Sequence, residues 1–200
     1  MLPPFPVHYK NRIAEIESEL NSLSGSPAGN IVLFGDSISE MHPATRLRGR
    51  PVINMGISGD EAEHPEGGLF RRVNLLTRAN PAEIFVLIGI NDLNNGKKPD
   101  SLAKQVGKVL DAVREIVPAA SIYLQTTLPT SGQYLHLLPD VRETNERLSE
   151  IAEARRIAFV DVFSAMTNGG GELREELTDD GVHLNDLGYQ LWTSVMEAAE

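Results

Sequence analysis

The amino-acid sequence predicts an α/β fold, a three-layer α/β/α sandwich built on a five-stranded parallel sheet. Three observations lead there. Short, continuous apolar runs recur along the 200 residues, the clearest at 31–34 (IVLF) and 84–88 (IFVLI), and such runs suit strands buried on both faces. Between them lie segments with apolar residues at helical spacing. Strands alternating with helices imply right-handed βαβ units and a parallel sheet covered on both sides.

Each element follows in order. Residues 9–23 carry Ile13, Ile16, Leu20 and Leu23 at helical spacing, and the Gly/Ser/Pro-rich residues 24–30 break that helix. Residues 1–29 therefore read as an N-terminal helix and linker packed on a domain of residues 30–200. The first strand is 31–34. Val52 and Ile53 lie in the second, which ends in the glycine-containing stretch 56–59. Residues 69–76 read as helix and 84–88 as the third strand. Residues 101–117 place Leu102, Val106, Val109, Leu110 and Val113 on one helical face and stop at Pro118. A fourth strand at 122–124, a helix at 141–155 and a fifth strand at 157–160 follow. The last helix spans 187–199, with Asn185 or Asp186 as its cap.

Composition bounds the function. A chain of this length buries roughly 70% of its unfolded surface, enough for one core, and 41% hydrophobic with 23% charged residues is ordinary for a globular protein. The net charge of −10 and the lack of any Lys/Arg run argue against nucleic acid and anionic membrane surfaces as partners. The absence of cysteine excludes disulfides, thiolate nucleophiles and Cys-ligated zinc. No segment approaches the ~18 apolar residues of a membrane span. Residues 1–10 hold three prolines and no apolar run of the kind a secretory signal needs, so the expected location is cytoplasmic.

In open α/β sheets ligands bind at the carboxyl ends of the strands, and there the chemistry gathers. The first strand ends in Gly35-Asp36-Ser37. The second ends in Asn54-Met55-Gly56-Ile57-Ser58-Gly59-Asp60 and the third in Gly89-Ile90-Asn91-Asp92, while Asp180-Gly181-Val182-His183 stands before the last helix. Ser37, at a strand-to-helix turn, is a candidate nucleophile, and a free serine needs a base. His183 is the candidate base, with Asp180 or Asp179 near enough in sequence to orient it. The backbone N–H groups of Ser37 and Gly59 and the side-chain amide of Asn91 are candidate oxyanion donors. Taken singly, each motif reads more readily as a helix cap or a turn. Together, a serine, a histidine, an aspartate and several donors at strand ends are what acyl transfer requires.

The blocks GDS (Gly35 to Ser37), NxGIxGD (Asn54 to Asp60), GxND (Gly89 to Asp92) and DGxH (Asp180 to His183) resemble the four signature blocks of the SGNH (GDSL-type) hydrolases. The His-Leu-Asn run and the Gly188-Tyr189 pair that follows are similar too. The likeness runs from about residue 31 to 192, and it is strongest to the branch of platelet-activating-factor acetylhydrolase-like and bacterial GDSL esterases. It implies the flavodoxin-like sandwich and metal- and cofactor-free hydrolysis of acetyl or short-acyl esters through an acyl-enzyme on Ser37. It also implies a catalytic triad of Ser37, Asp180 and His183, with Asp180 preferred over Asp179, and an oxyanion hole of Ser37, Gly59 and Asn91. The expected partner is a small-molecule ester, an acetylated sugar or a lipid-like ester; lysophospholipids and thioesters are alternatives from the same superfamily.

Two departures and two rivals stand beside this. Ile38 replaces the namesake leucine, and the acidic segment 61–68 follows Asp60, where it is expected near the pocket; His64 in it reads as a solvated loop residue. Residues 128–138 either line the pocket or form a plain surface connection, while Phe159, Phe163 and Trp192 read as core. The rivals are a metal hydrolase using Asp36, Asp92, Asp180 and His183, and a non-catalytic binding module on the same fold. The N-terminal helix either covers the sheet or pairs with a second subunit as a homodimer.

Overall fold

The structure, a computed structural model, describes residues 5–22 and 29–200. Leu23 and most of the predicted breaker lie outside the described residues. Helix α1 (Phe5–Ser22) buries Tyr9, Ile16 and Leu20. That face packs within the chain, where α1 contacts the short helix at Leu76–Ala79. Strand β1 (Asn30–Gly35) is buried at all six positions, as its unbroken apolar run requires of a central strand. The one-turn helix α2 (Ser37–Glu40) follows, then β2 (Arg46–Leu47) and β3 (Arg50–Asn54).

The predicted helix at 69–76 is three short pieces: α3 (Leu69–Arg72), a 3-10 turn (Val73–Leu75) and α4 (Leu76–Ala79). Next come β4 (Pro81–Leu87), α5 (Ile90–Asn94) and α6 (Pro99–Ile116). All five residues predicted for the apolar face of α6 are fully buried, and Pro99 occupies its first turn, where a missing N–H costs nothing. The remainder is β5 (Ser121–Gln125), α7 (Leu138–Arg155), β6 (Ala158–Val160), α8 (Val162–Met166) and α9 (Asp186–Ala198). Asn185 caps α9, accepting from the N–H groups of Leu187 and Gly188.

The sheet has six strands, not five, in the order β2-β3-β1-β4-β5-β6. The extra strand, β2, is a two-residue antiparallel partner of β3, pairing Arg46 with Pro51 and Leu47 with Arg50. The other five are parallel. Packed helices cover the sheet: α1, α4, α6 and α7 contact one another in a row, and α8 packs on α9. The three-layer sandwich is as expected.

One feature of the topology positions the site. From β1 the chain moves outward to β3 on one side, and then crosses back to β4 on the other. Val32 pairs with Ile53 on one side and Ile84 on the other. The reversal leaves a crevice at the carboxyl ends of these three neighbouring strands. Ser37 follows β1, Gly59 follows β3 and Asn91 follows β4.

Candidate active site

Ser37 enters the crevice on a turn that only glycine permits. A Cβ on Gly35 would lie 2.2 Å from the Leu87 carbonyl oxygen and 2.3 Å from Ser39 Oγ, so the chain packs too closely there for any side chain. Asp36 caps α2, its Oδ1 accepting from the Ile38 N–H at 3.0 Å. The predicted cap at this turn is thus Asp36, which leaves the Ser37 hydroxyl to project elsewhere.

That hydroxyl meets His183. Ser37 Oγ lies 3.0 Å from His183 Nε2, and His183 Nδ1 lies 2.7 Å from Asp180 Oδ2. A carboxylate only accepts, so the ring proton sits on Nδ1 and Nε2 offers its lone pair to the serine O–H. The local sequence builds this arrangement. Asp180 Oδ1 accepts from the N–H groups of Val182 at 2.9 Å and His183 at 2.8 Å, a carboxylate-centred turn that folds Asp180 under its own imidazole. Partial burial alone would raise the Asp180 pKa, but the imidazole and these two N–H groups outweigh it and hold the carboxyl below its ordinary value. Thr178 Oγ1 donates to the His183 carbonyl at 2.6 Å and closes the base of the loop. Asp179, the rival carboxylate, makes no hydrogen bond to the imidazole among the described residues.

Gly59 has φ +81, a backbone region glycine enters freely. Asn91 Nδ2 donates to the Asp60 carbonyl at 2.9 Å. An amide carries two N–H hydrogens; one fixes Asn91 on the loop after Gly59, and the second has no partner among the described residues. Ser37, Gly59, Asn91, Asp180 and His183 all line one cavity of about 510 Å3, together with Met41, Ser58, Asp179 and Leu184. Every sequence-predicted site residue is therefore brought to one place, and no lysine or arginine lines it among the described residues.

The acidic segment lies elsewhere. None of residues 60–68 lines this cavity; Glu63, His64, Pro65 and Gly67 border a separate one of about 430 Å3. Two carboxylates at the start of the segment turn inward, that of Asp60 just before it and that of Glu61 within it. Asp60 pairs with Arg72, and Glu61 with Lys97 at 3.2 Å. The expected acidic rim thus does not form on the serine's cavity, because Arg72 and Lys97 hold those two charges. His64 packs edge-on against Phe5, with centroids 4.8 Å apart, rather than standing free in solvent. Residues 128–138 do not line the cavity either; they brace the histidine loop, Ser131 N–H donating to the Gly181 carbonyl at 2.9 Å. Trp192 is core as read, while Phe159 and Phe163 are half-buried at its margin. Asp36, Asp92, Asp180 and His183 do not converge: among the described residues no three His, Asp or Glu side chains gather as a metal-holding group.

Several supporting residues were not singled out from sequence. Asn54 Nδ2 donates to the Ser39 and Glu40 carbonyls at 2.7 and 3.1 Å while its Oδ1 accepts the Gly56 N–H at 2.9 Å, tying the serine turn to the next loop. Tyr189 Oη donates to the Ile38 carbonyl at 3.1 Å, tying α9 to the same turn. Both stand inside matching blocks, which was the available signal. Arg72 had none. It is buried, donates to the Gly35 carbonyl at 2.8 Å and to that of Met55, and its Nη2 lies 2.8 Å from Asp60 Oδ2.

The GDSL-like lipase/acylhydrolase family profile matches residues 33–191. A GDSL-like lipase from Bacteroides thetaiotaomicron shares the fold with a TM-score of 0.79 at 20% identity, covering 92% of this chain and 94% of that one. A Streptococcus pneumonia structure named for platelet activating factor aligns with a TM-score of 0.76 at 25% identity, over 94% of this chain and 92% of that one. In sequence the chain is 25% identical over 182 residues to an N-acylneuraminate cytidylyltransferase of Escherichia coli O18:K1:H7, covering 90% of this chain and 41% of that protein. The chain thus spans less than half the length of that relative.

Proposed function

The chain belongs to the GDSL-like lipase/acylhydrolase family, and from that premise we propose that it is an ester hydrolase, a serine esterase working through an acyl-enzyme on Ser37. The observation that carries this reading is the unbroken hydrogen-bond chain Ser37 Oγ–His183 Nε2–His183 Nδ1–Asp180 Oδ2, at 3.0 and 2.7 Å, opening on a cavity.

His183 Nε2 takes the hydroxyl proton as Ser37 Oγ bonds to the ester carbonyl carbon, and the carbonyl electron pair moves to oxygen. The N–H groups of Ser37 and Gly59 and the free amide hydrogen of Asn91 receive that oxyanion; one such donor is worth about 10²–10³ in kcat. Collapse expels the alcohol, which leaves with the proton from His183. Water, deprotonated by the same imidazole, then attacks the acyl carbon and releases the acid, and the proton returns to Ser37. Asp180 holds the Nδ1–H tautomer and offsets the positive charge on the ring in both halves.

Acetyl and short-acyl esters fit best. The cavity is at the modest end of the ~300–1,000 Å3 that ligand sites span; Met41 and Leu184 supply apolar wall for a small acyl group. Two ester classes have support. The relative named for N-acylneuraminate, an acylamino sugar acid, favours an ester carried on a sugar, and the structural neighbour named for platelet activating factor favours a lipid-like ester. Hydrolysis of p-nitrophenyl acetate, butyrate and octanoate by wild type and Ser37→Ala tests the reading. Turnover should fall with acyl length and drop by at least ~10³ in the variant. Wild-type rates in Ser37→Ala would overturn it.

A further inference from the structure

Helix α1 lies outside residues 33–191 that match the family, and the chemistry above gives it no task. Its first turns nonetheless rest on the loop that carries Gly59. Arg12 Nη2 donates to the Asn54 carbonyl at 2.8 Å and Arg12 Nε to the Gly56 carbonyl at 3.2 Å. The carbonyl between them, that of Met55, accepts from Arg72. Three successive carbonyls at the start of the loop are thus held by two guanidinium groups, one from α1 and one from α3, and a cation donating to a carbonyl makes the stronger kind of hydrogen bond. Farther along, His8 Nε2 lies 3.0 Å from Glu40 Oε2, and that same oxygen accepts the Ser58 N–H. At the loop's end the Phe5 ring closes over Gly59, its Cδ2 3.0 Å from where a glycine Cβ would stand.

We propose that α1 is a positioning element of the oxyanion site, with Arg12 the positioning residue that sets the direction of the Gly59 N–H. This rests on the reading of Gly59 as an oxyanion donor. A glycine at positive φ imposes little direction of its own, so its N–H points where the chain on either side is held. The donor must lie about 2.7–3.1 Å from the developing oxyanion, and a misplacement of about 1 Å can cost ~10²-fold. Ester binding in the ground state uses this donor little, so its loss falls on kcat rather than KM.

The test compares Arg12→Ala and Arg12→Lys in the full chain, measuring kcat and KM for p-nitrophenyl acetate and inhibition by a trifluoromethyl ketone, which forms a tetrahedral adduct on an active serine. Arg12→Ala should lower kcat about tenfold or more with KM changed less than about twofold. Ketone affinity should weaken by the same factor as kcat. Arg12→Lys, whose ammonium can still reach one carbonyl, should recover part of both, and it carries the comparison should the alanine variant fail to fold. Arg78→Ala is the control. It releases the far end of α1, where Arg78 Nη2 donates to the Glu17 carbonyl at 3.2 Å and Asn21 Oδ1 at 2.7 Å, and it should leave kcat unchanged. An unchanged kcat in Arg12→Ala, or an equal fall in Arg78→Ala, overturns the proposal. Ser37→Ala and Asn91→Ala separate the two readings. If these retain turnover, the serine mechanism itself fails; if they lose it while Arg12→Ala does not, only the assignment of α1 fails.

Discussion

Asp36 stands immediately before Ser37 and is wholly buried, with one oxygen capping α2 and the other without a hydrogen-bond partner among the described residues. Burial, aided by the nearby carboxylates of Asp60 and Asp92 and opposed by the Ile38 N–H, lifts its pKa from 3.8 to about 7. A carboxyl whose folded pKa is raised contributes stability that is complete below about pH 4 and lost as pH climbs to about 7. Asp36→Asn keeps an acceptor for the cap and removes the charge. The variant should match wild type in thermal melting near pH 4 and exceed it by on the order of 2–4 kcal/mol above pH 7; a difference independent of pH would contradict this. Residue by residue, the site was legible where contacts are local. Asp180 and His183 meet because one turn folds them together. The burial of Asp36 and the partners of Arg72 were not legible, since both depend on strands and loops that approach only in the folded chain.

Helix α3 is only four residues long, yet through Arg72 it joins the end of β1, the loop after β3 and Asp60. Arg72 and Asp60 are 2% and 0% exposed. Removing one member of such a pair leaves a buried charge uncompensated, at a cost of about 3–5 kcal/mol. Arg72→Leu should lose that much in urea denaturation, and Arg72→Leu combined with Asp60→Asn should regain a large part of it. A single variant within about 1 kcal/mol of wild type would contradict the assignment. Among elements, long periodic segments were readable: the α6 face and the buried runs of β1 and β4 are where their patterns put them. The short ones were not. Two residues of β2 carry no alternation to detect, and its pairing with β3 is set by the turn at Arg48 and Gly49, both at positive φ. The segment 61–68 misled because its charges suggest solvent, whereas Lys97 draws Glu61 inward, as Arg72 does Asp60 just before it.

The whole molecule places its chemistry by topology. Three neighbouring strands deliver Ser37, Gly59 and Asn91 to one crevice, and α9 closes it from the far end of the chain, carrying Tyr189 back to the serine turn and presenting His183 from the loop just before it. The fold class was readable because strand and helix alternate, and the crevice because the four motif blocks fall at strand ends. The brace that α1 lays across the Gly59 loop was not, since nothing in the spacing of its residues distinguishes Arg12 from any exposed helical arginine. The central claim is that the acyl group passes through Ser37. The most direct measurement is rapid mixing of the full chain with p-nitrophenyl acetate, quenching and peptide mass spectrometry. A burst of p-nitrophenol approaching one equivalent per chain, with a single acetyl group on the peptide that bears Ser37, is the predicted result. Steady turnover with no burst and no acetyl on Ser37, even when deacylation is slowed by low pH, would contradict it.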